Sequence, residues 1–102
     1  MKLQISVVPE TNGLRLAGDL DIYSVEPARD AFGTNLAKLP GLNLDLAGIS
    51  ACDTAGLQLL IAARRSAVAA GKSFTILASA PAVEKCAELL GVAPGDVRPD
   101  SH

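Results

Sequence analysis

Leu42-Asn43-Leu44-Asp45-Leu46 alternates apolar and polar residues at period two, and shortly after it Leu57 to Ala70 repeats its apolar residues at helical period. The first reads as a strand with one buried face, the second as a helix. Phe74-Thr75-Ile76-Leu77-Ala78 follows as a further apolar run, closed off from the helix by Gly71-Lys72. Strand, helix and strand in this order point to parallel strands joined across a packed helix.

The flanking segments extend that layer. Leu3, Ile5 and Val7 alternate with polar residues, and Leu14, Leu16 and Gly18 resume the alternation after Pro9-Glu10-Thr11-Asn12-Gly13. These predict two strands joined as a hairpin through an Asn12-Gly13 turn. Gly18-Asp19-Leu20-Asp21 is expected to break the second strand into a short acidic loop, with Tyr23 or Ser24 opening a helix. Val25, Ala28, Phe32, Leu36 and Leu39 then recur at three and four residue steps, Pro27 being tolerated in the first turn and Gly33 weakening the helix. Leu39-Pro40-Gly41 ends it. Ala47 to Cys52 reads as a connection or a second extended piece. A third helix is expected with Ser79 as its cap, Pro81 in its first turn, Val83, Cys86, Ala87 and Leu90 on its buried stripe, and Gly91 as its stop. The pattern predicts an α/β fold. Its mixed sheet has about four strands, an N-terminal hairpin with the remainder largely parallel, packed with three main helices. Residues 1–102 form one domain, whose tail from about 94 to 102 is rich in Pro, Gly and Asp and is expected to lie loosely apart from Val97.

Between the central strand and its helix stands Asp53-Thr54-Ala55-Gly56-Leu57. Thr54 falls where an N-cap belongs, and Asp53 sets negative charge against the positive helix end. Gly56 leaves room for a close backbone approach. The same residues also suit a regulated hydroxyl, since a phosphate on Thr54 adds about −1.5 to −2 charges at a helix end that accepts anions. The junction alone does not choose between cap and switch. On the helix, Leu57, Leu60, Ala63, Ala67 and Ala70 share one face, and Gln58, Ala62, Arg65 and Ala69 another, a flat surface beside Thr54 that suits either docking or solvent. Loops at the carboxyl ends of strands in such sheets carry function, which makes Asp19, Asp21, Asp53 and Thr54 candidates.

Composition removes most other readings. The chain has 102 residues, 49% of them hydrophobic and 3% aromatic, a formal charge of −2, two cysteines and one histidine. An acidic chain with scattered Lys and Arg lacks the basic face that nucleic acid requires, which leaves a protein as the expected partner. Cys52 and Cys86 are too few for a disulfide framework and have no zinc spacing, so they read as inert thiols near the core. The start Met1-Lys2-Leu3-Gln4-Ile5 has no apolar leader and no run reaches the ~20 residues of a membrane span, so a soluble cytoplasmic protein is expected.

Enzyme readings fail on their parts. The lone His102 lies in the tail, and no Gly-x-Ser-x-Gly elbow exists for a triad. Gly71-Lys72-Ser73 carries the end of a phosphate-loop motif, but Ser66 stands where its first glycine belongs and the segment ends a helix. Asp19 and Asp21 are a carboxylate pair without a third ligand, better read as a solvated turn than as an acid-base or Mg2+ site. No catalytic residue, metal or cofactor is expected.

The Gly18-Asp19-Leu20-Asp21 segment, the Leu44-Asp45-Leu46 strand, Asp53-Thr54-Ala55-Gly56-Leu57 and the stretch from Ser79 to Gly91 resemble, in order and spacing, the STAS domain of bacterial anti-sigma factor antagonists. The resemblance spans nearly the whole chain. In that family the motif is usually Asp-Ser-Ser-Gly-Leu or Asp-Ser-Thr-Gly-Leu, and the hydroxyl after the acid is phosphorylated by a partner serine kinase that is also the anti-sigma factor. The resemblance therefore implies a non-catalytic module with Thr54 as phosphoacceptor. It would bind its partner through Asp19, Asp21, Asp53, Thr54, Ala55, Gly56, Gln58 and Arg65. Thr54 replaces the common serine and Ala55 the second hydroxyl. The stretch from Asp53 to Leu60 is similar also to STAS proteins of chemotaxis-type signalling complexes and of Mla-type phospholipid ABC transporters. In those, a constitutive contact with a kinase or ATPase subunit is implied instead.

Overall fold

The computed structural model describes residues 1–92. The expected tail from about 94 to 102, Val97 included, lies outside the described residues. Strands β1 (Gln4–Val8), β2 (Gly13–Leu20), β3 (Gly41–Cys52) and β4 (Ser73–Ala78) alternate with helices α1 (Val25–Lys38), α2 (Thr54–Ala69) and α3 (Pro81–Leu89). They form one sheet in the order β1-β2-β3-β4, with β1 and β2 antiparallel and the other two pairings parallel. This is the α/β architecture that the alternation of periods predicts.

Period two decides which face is buried. Leu14, Leu16 and Leu20 of β2 and Leu42, Leu44 and Leu46 of β3 are buried, and Leu14 lies beside Leu44 in register. Against them pack Ala28 and Phe32 of α1, Leu57, Leu60 and Ala63 of α2, and Val83 and Ala87 of α3. The intervening residues are polar and wetter. Arg15 Nε donates to Asp45 Oδ2 at 3.3 Å and Asn43 Nδ2 to the Thr11 carbonyl at 2.8 Å.

Three local expectations are corrected and one is settled. The β1–β2 connection is not a two-residue Asn12-Gly13 turn. Pro9–Thr11 form a single 3₁₀ turn that ends on Asn12 in the left-handed region (φ 52°), its N–H donating to the Pro9 carbonyl, while Gly13 already pairs with Val8. Proline favours the tight turn because its φ is preset and its missing N–H has no partner to lose there.

Gly18-Asp19-Leu20 does not break β2. The strand runs on through Leu20, because Asp19 N–H donates to the Met1 carbonyl at 2.9 Å and Leu20 points into the core opposite Cys52. Gly18 absorbs the irregularity at φ 103°, where an added Cβ would lie 2.6 Å from the Lys2 carbonyl oxygen. A side chain fits neither that φ nor that space.

Of the two readings of Ala47 to Cys52 the extended one holds, and the segment is continuous with Leu42 to Leu46 as the second half of β3. Between Arg15 and Ala17 on β2 the opposing strand advances from Asp45 to Gly48, so β3 carries an extra residue, and it carries another between Ile49 and Ala51. Each such bulge reverses the inward phase, which is why Ile49 is buried although it breaks the even-numbered series of Leu42, Leu44 and Leu46.

Ser79 does not cap α3. Pro81 takes the first helical position and Ala80 the cap position, one residue too late for Ser79, whose buried Oγ has no hydrogen-bond partner. Leu90 lies just past the helix and is largely exposed, whereas Gly91 ends it as expected at φ 72°. Gly33 is exposed and α1 passes through it unbroken.

Leu44→Ala removes a fully buried side chain from the central strand and should lower unfolding free energy by about 2–5 kcal/mol in urea titrations. Arg15→Ala breaks only the exposed pair with Asp45 and should cost at most about 1 kcal/mol in the same assay.

Candidate functional site

The carboxyl ends of β2 and β3 meet at α2. Asp53, between β3 and the helix, donates its N–H to the Leu20 carbonyl at 3.2 Å. Its Oδ1 accepts from the Gly56 N–H at 2.9 Å and its Oδ2 from the Ile22 N–H at 3.2 Å. One carboxylate thus caps α2 and ties down the segment leading into α1. This corrects the expected cap: Asp53 holds that position in extended backbone, and Thr54 is the first helical residue. A carboxylate satisfies the orphan N–H groups and complements the helix dipole together, which a hydroxyl cannot do. Thr54 is exposed and leaves the capping to its neighbour.

Gly56 makes this proximity possible. A Cβ there would lie 2.2 Å from the Leu20 carbonyl oxygen and 2.8 Å from its carbon. The first turn of α2 therefore sits directly on the end of β2, and only a residue without a side chain allows it.

The remaining predicted residues divide. Asp21 Oδ1 accepts from the N–H groups of Tyr23 and Ser24 at 3.0 and 3.2 Å, forming the turn that presents Ile22. Ser24 Oγ accepts from the Asp21 N–H and donates to the Asp19 carbonyl, locking the same turn. The Asp19 carboxylate is engaged elsewhere, 2.5 Å from the Met1 amine. Ala55 and Gln58 line a groove of about 550 Å3 between the starts of α1 and α2, together with Ile22, Tyr23, Glu26 and Leu59. Arg65 is exposed two turns further along α2 and borders a different recess with Ile61 and Val68. Asp21, Asp53, Thr54, Ala55, Gly56 and Gln58 are accordingly gathered around one junction, and Asp19 and Arg65 are not.

Sequence reasoning missed Ile22 and Tyr23. They are 65% and 91% exposed and line the groove beside Ala55 and Gln58. The available signal was two bulky apolar residues inside an acidic turn, belonging to no helical stripe.

Behind the junction, Cys52 and Cys86 are half-buried against the core, and the Cys52 thiol donates to the Asp53 carbonyl at 3.6 Å. Burial pushes the Cys52 thiol up to about 12, with the neighbouring Cys86 and then the Asp53 charge opposing its ionisation further. Among the described residues no group of three or more His, Cys, Asp or Glu is placed to hold a metal ion.

The chain belongs to the STAS domain family, whose model described as "Mlab, STAS domain" matches residues 3–97. Comparison with curated proteins gave no match. Among solved structures, the anti-sigma factor antagonist SpoIIAA in its unphosphorylated form is similar with a TM-score of 0.69 at 24% identity, over 91% of this chain and 84% of that one. An anti-sigma factor antagonist from Mycobacterium paratuberculosis is similar with a TM-score of 0.74 at 22% identity, over 88% of this chain and 79% of that one. At these identities the likeness is one of fold.

Gly56→Ala forces the helix off β2 and should destabilise the protein by about 1–3 kcal/mol in thermal or chemical melts. Asp53→Ala removes the cap and should cost about 1 kcal/mol, whereas Thr54→Ala, which removes none, should stay within about 0.5 kcal/mol of the parent. Because Cys52 stays a neutral thiol up to very alkaline pH, its alkylation by iodoacetamide at neutral pH should lag far behind that of the unfolded chain, as mass spectrometry of timed aliquots will read.

Proposed function

We propose that this STAS domain is a non-catalytic, cytoplasmic regulatory module of the anti-sigma factor antagonist type. It binds a serine/threonine kinase that acts as anti-sigma factor, through Asp21, Asp53, Thr54, Ala55, Gly56 and Gln58 with the Ile22–Tyr23 ridge, and is switched by phosphorylation of Thr54. Asp19 and Arg65 contribute at the margins, Asp19 by holding the strand end and Arg65 on the outer turns of α2. The observation that carries this reading is the division of labour at the helix start. Asp53 supplies the cap, so the exposed Thr54 hydroxyl is left to a partner beside two exposed apolar side chains.

A phosphate on Thr54 sits well at the amino end of α2, so the fold tolerates it. A docked partner does not, since Asp53 and Asp21 already make the patch acidic and more charge must be desolvated at a closed interface. A penalty of about 3 kcal/mol lowers affinity roughly a hundredfold. That the two similar structures are both anti-sigma factor antagonists supports the general kind of function.

The Mlab name of the family favours a second reading, a constitutive subunit of an Mla-type phospholipid transporter with the same surface seated on its ATPase subunit; a chemotaxis-type complex would seat that surface on a kinase subunit in the same way. Thr54 is then a contact residue only.

Incubation with the cognate kinase and ATP should place one phosphate on Thr54 by mass spectrometry and none on the Thr54→Ala variant. In binding assays Thr54→Glu should weaken the partner complex about a hundredfold while Thr54→Ala retains it. Equal binding by both variants, together with an unmodified Thr54 in the presence of an active kinase, would establish the constitutive reading.

A further inference from the structure

At the edge of the sheet far from Thr54, we infer that β1 and the flank of α1 form a two-fold interface with a second copy of this chain. Among the described residues β1 pairs on one side only, with β2, in an unbroken register from Gln4 to Val8. Its outer edge leaves backbone N–H and C=O groups without strand partners among the described residues. Natural edges are usually blunted by a charge, a proline or a bulge, and Gln4-Ile5-Ser6-Val7-Val8 has none of these.

The apolar face of the same strand is incompletely covered. Ile5 and Val7 lie opposite Leu16 and Leu14, on the face that α1 and α2 bury, yet Val7 is 70% exposed because α1 stops short of the edge. An apolar groove of about 600 Å3 remains between β1 and α1, lined by Ile5, Val7, Ala31 and Leu39 and bordered by the charged Asp30 and Lys38.

Three properties select a second copy as the occupant. An antiparallel β1 fits the free edge, and a two-fold axis normal to the sheet at Ser6 sets Ile5 of each copy across from Val7 of the other. Such aliphatic cross-strand pairs are individually worth a fraction of a kcal/mol. The axis keeps both helix layers on the same side of a continuous sheet, so the two α1 flanks face each other antiparallel across the paired edges. Asp30 and Lys38 stand eight positions apart, about 12 Å along the helix. Thr34, midway between them, lines the same groove as Ile5 and Val7, so a two-fold at Ser6 brings Asp30 of each copy towards Lys38 of the other, a self-complementary pair of charges on an isologous interface. None of these residues belongs to the Thr54 junction, so the dimer stands or falls independently of the proposed switch.

Sedimentation equilibrium of the full chain should show a concentration-dependent rise from the 10.4 kDa monomer towards twice that mass at about 100 μM. Val7→Lys puts like charges near the axis at an already exposed position and should weaken the dimer at least about tenfold, with an unchanged circular dichroism spectrum. Asp30→Lys or Lys38→Asp alone should weaken it, and the double swap should restore it to within about threefold. A chain that stays monomeric up to about 1 mM overturns the proposal. So does a dimer indifferent to Val7→Lys, or a double swap no tighter than the single reversals. The exposed positions of Asp30 and Lys38 keep the test valid should Val7→Lys disturb folding.

Discussion

The contact between the first turn of α2 and the last residue of β2 governs the rest of the structure. Gly56 lies so close to the Leu20 carbonyl that no Cβ fits between them. Asp53 closes the same gap by bonding Leu20 with its N–H, Gly56 with one carboxylate oxygen and Ile22 with the other. With that end pinned, α2 lays Leu57, Leu60, Ala63 and Ala67 onto the sheet. The segment entering α1 is held by the other arm of the same carboxylate. One acid and one glycine therefore set the positions of two helices relative to the sheet. The net worth of each hydrogen bond is only about 1 kcal/mol, but losing the acid would leave two backbone N–H groups unpaired together.

The fold was legible wherever hydrophobic period and side-chain direction agreed. Leu14 and Leu16, Leu42 to Leu46, and the stripe Leu57, Leu60, Ala63 and Ala67 are buried as their spacing predicts. It was illegible where backbone geometry changes phase. The first bulge in β3 shifts the inward positions from even to odd between Leu46 and Ile49, so one long strand looked like a strand followed by a connection or a second extended piece. β2 looked finished at Gly18 because glycine and acids favour loops, whereas pairing with the N-terminal segment and with β3 carries it on to Leu20. Tertiary pairing outweighs local propensity in such places.

The junction was legible as a location and less so as an arrangement. Asp53, Thr54 and Gly56 stood out as a motif, but cap positions are set by the residue at which the backbone leaves the extended region, and that is Asp53. The same one-residue ambiguity displaced Ser79 from the start of α3. Asp19 was grouped with the junction as a loop residue at the carboxyl end of a strand, and Arg65 by helical phase. Neither measure records that the Asp19 carboxylate turns to the Met1 amine, or that Arg65 lies two turns down the helix. Ile22 and Tyr23 did not stand out as contact residues because a turn pattern says nothing of which side chains its hydrogen bonds push outward.

Moving the cap from Thr54 to Asp53 changes how stability and regulation relate. Were Thr54 the cap, its modification would remove a backbone hydrogen bond and destabilise α2, so any signal would be coupled to partial loss of the fold. With Asp53 as the cap, the Oδ1 bond to Gly56 persists whatever Thr54 carries. A phosphate at Thr54 would meet two opposing local terms: attraction to the helix amino end, typically about 0.3–1 kcal/mol when exposed, and repulsion from the adjacent carboxylate, damped by solvent over a similar range. These nearly cancel in the free protein and do not in a closed complex, where screening is lost and only the repulsion gains a second source in the acidic turn at Asp21. In the proposed switch the modification therefore acts on the bound state alone, which is the condition for a ligand or a charge to shift a binding equilibrium without unfolding the protein that carries it.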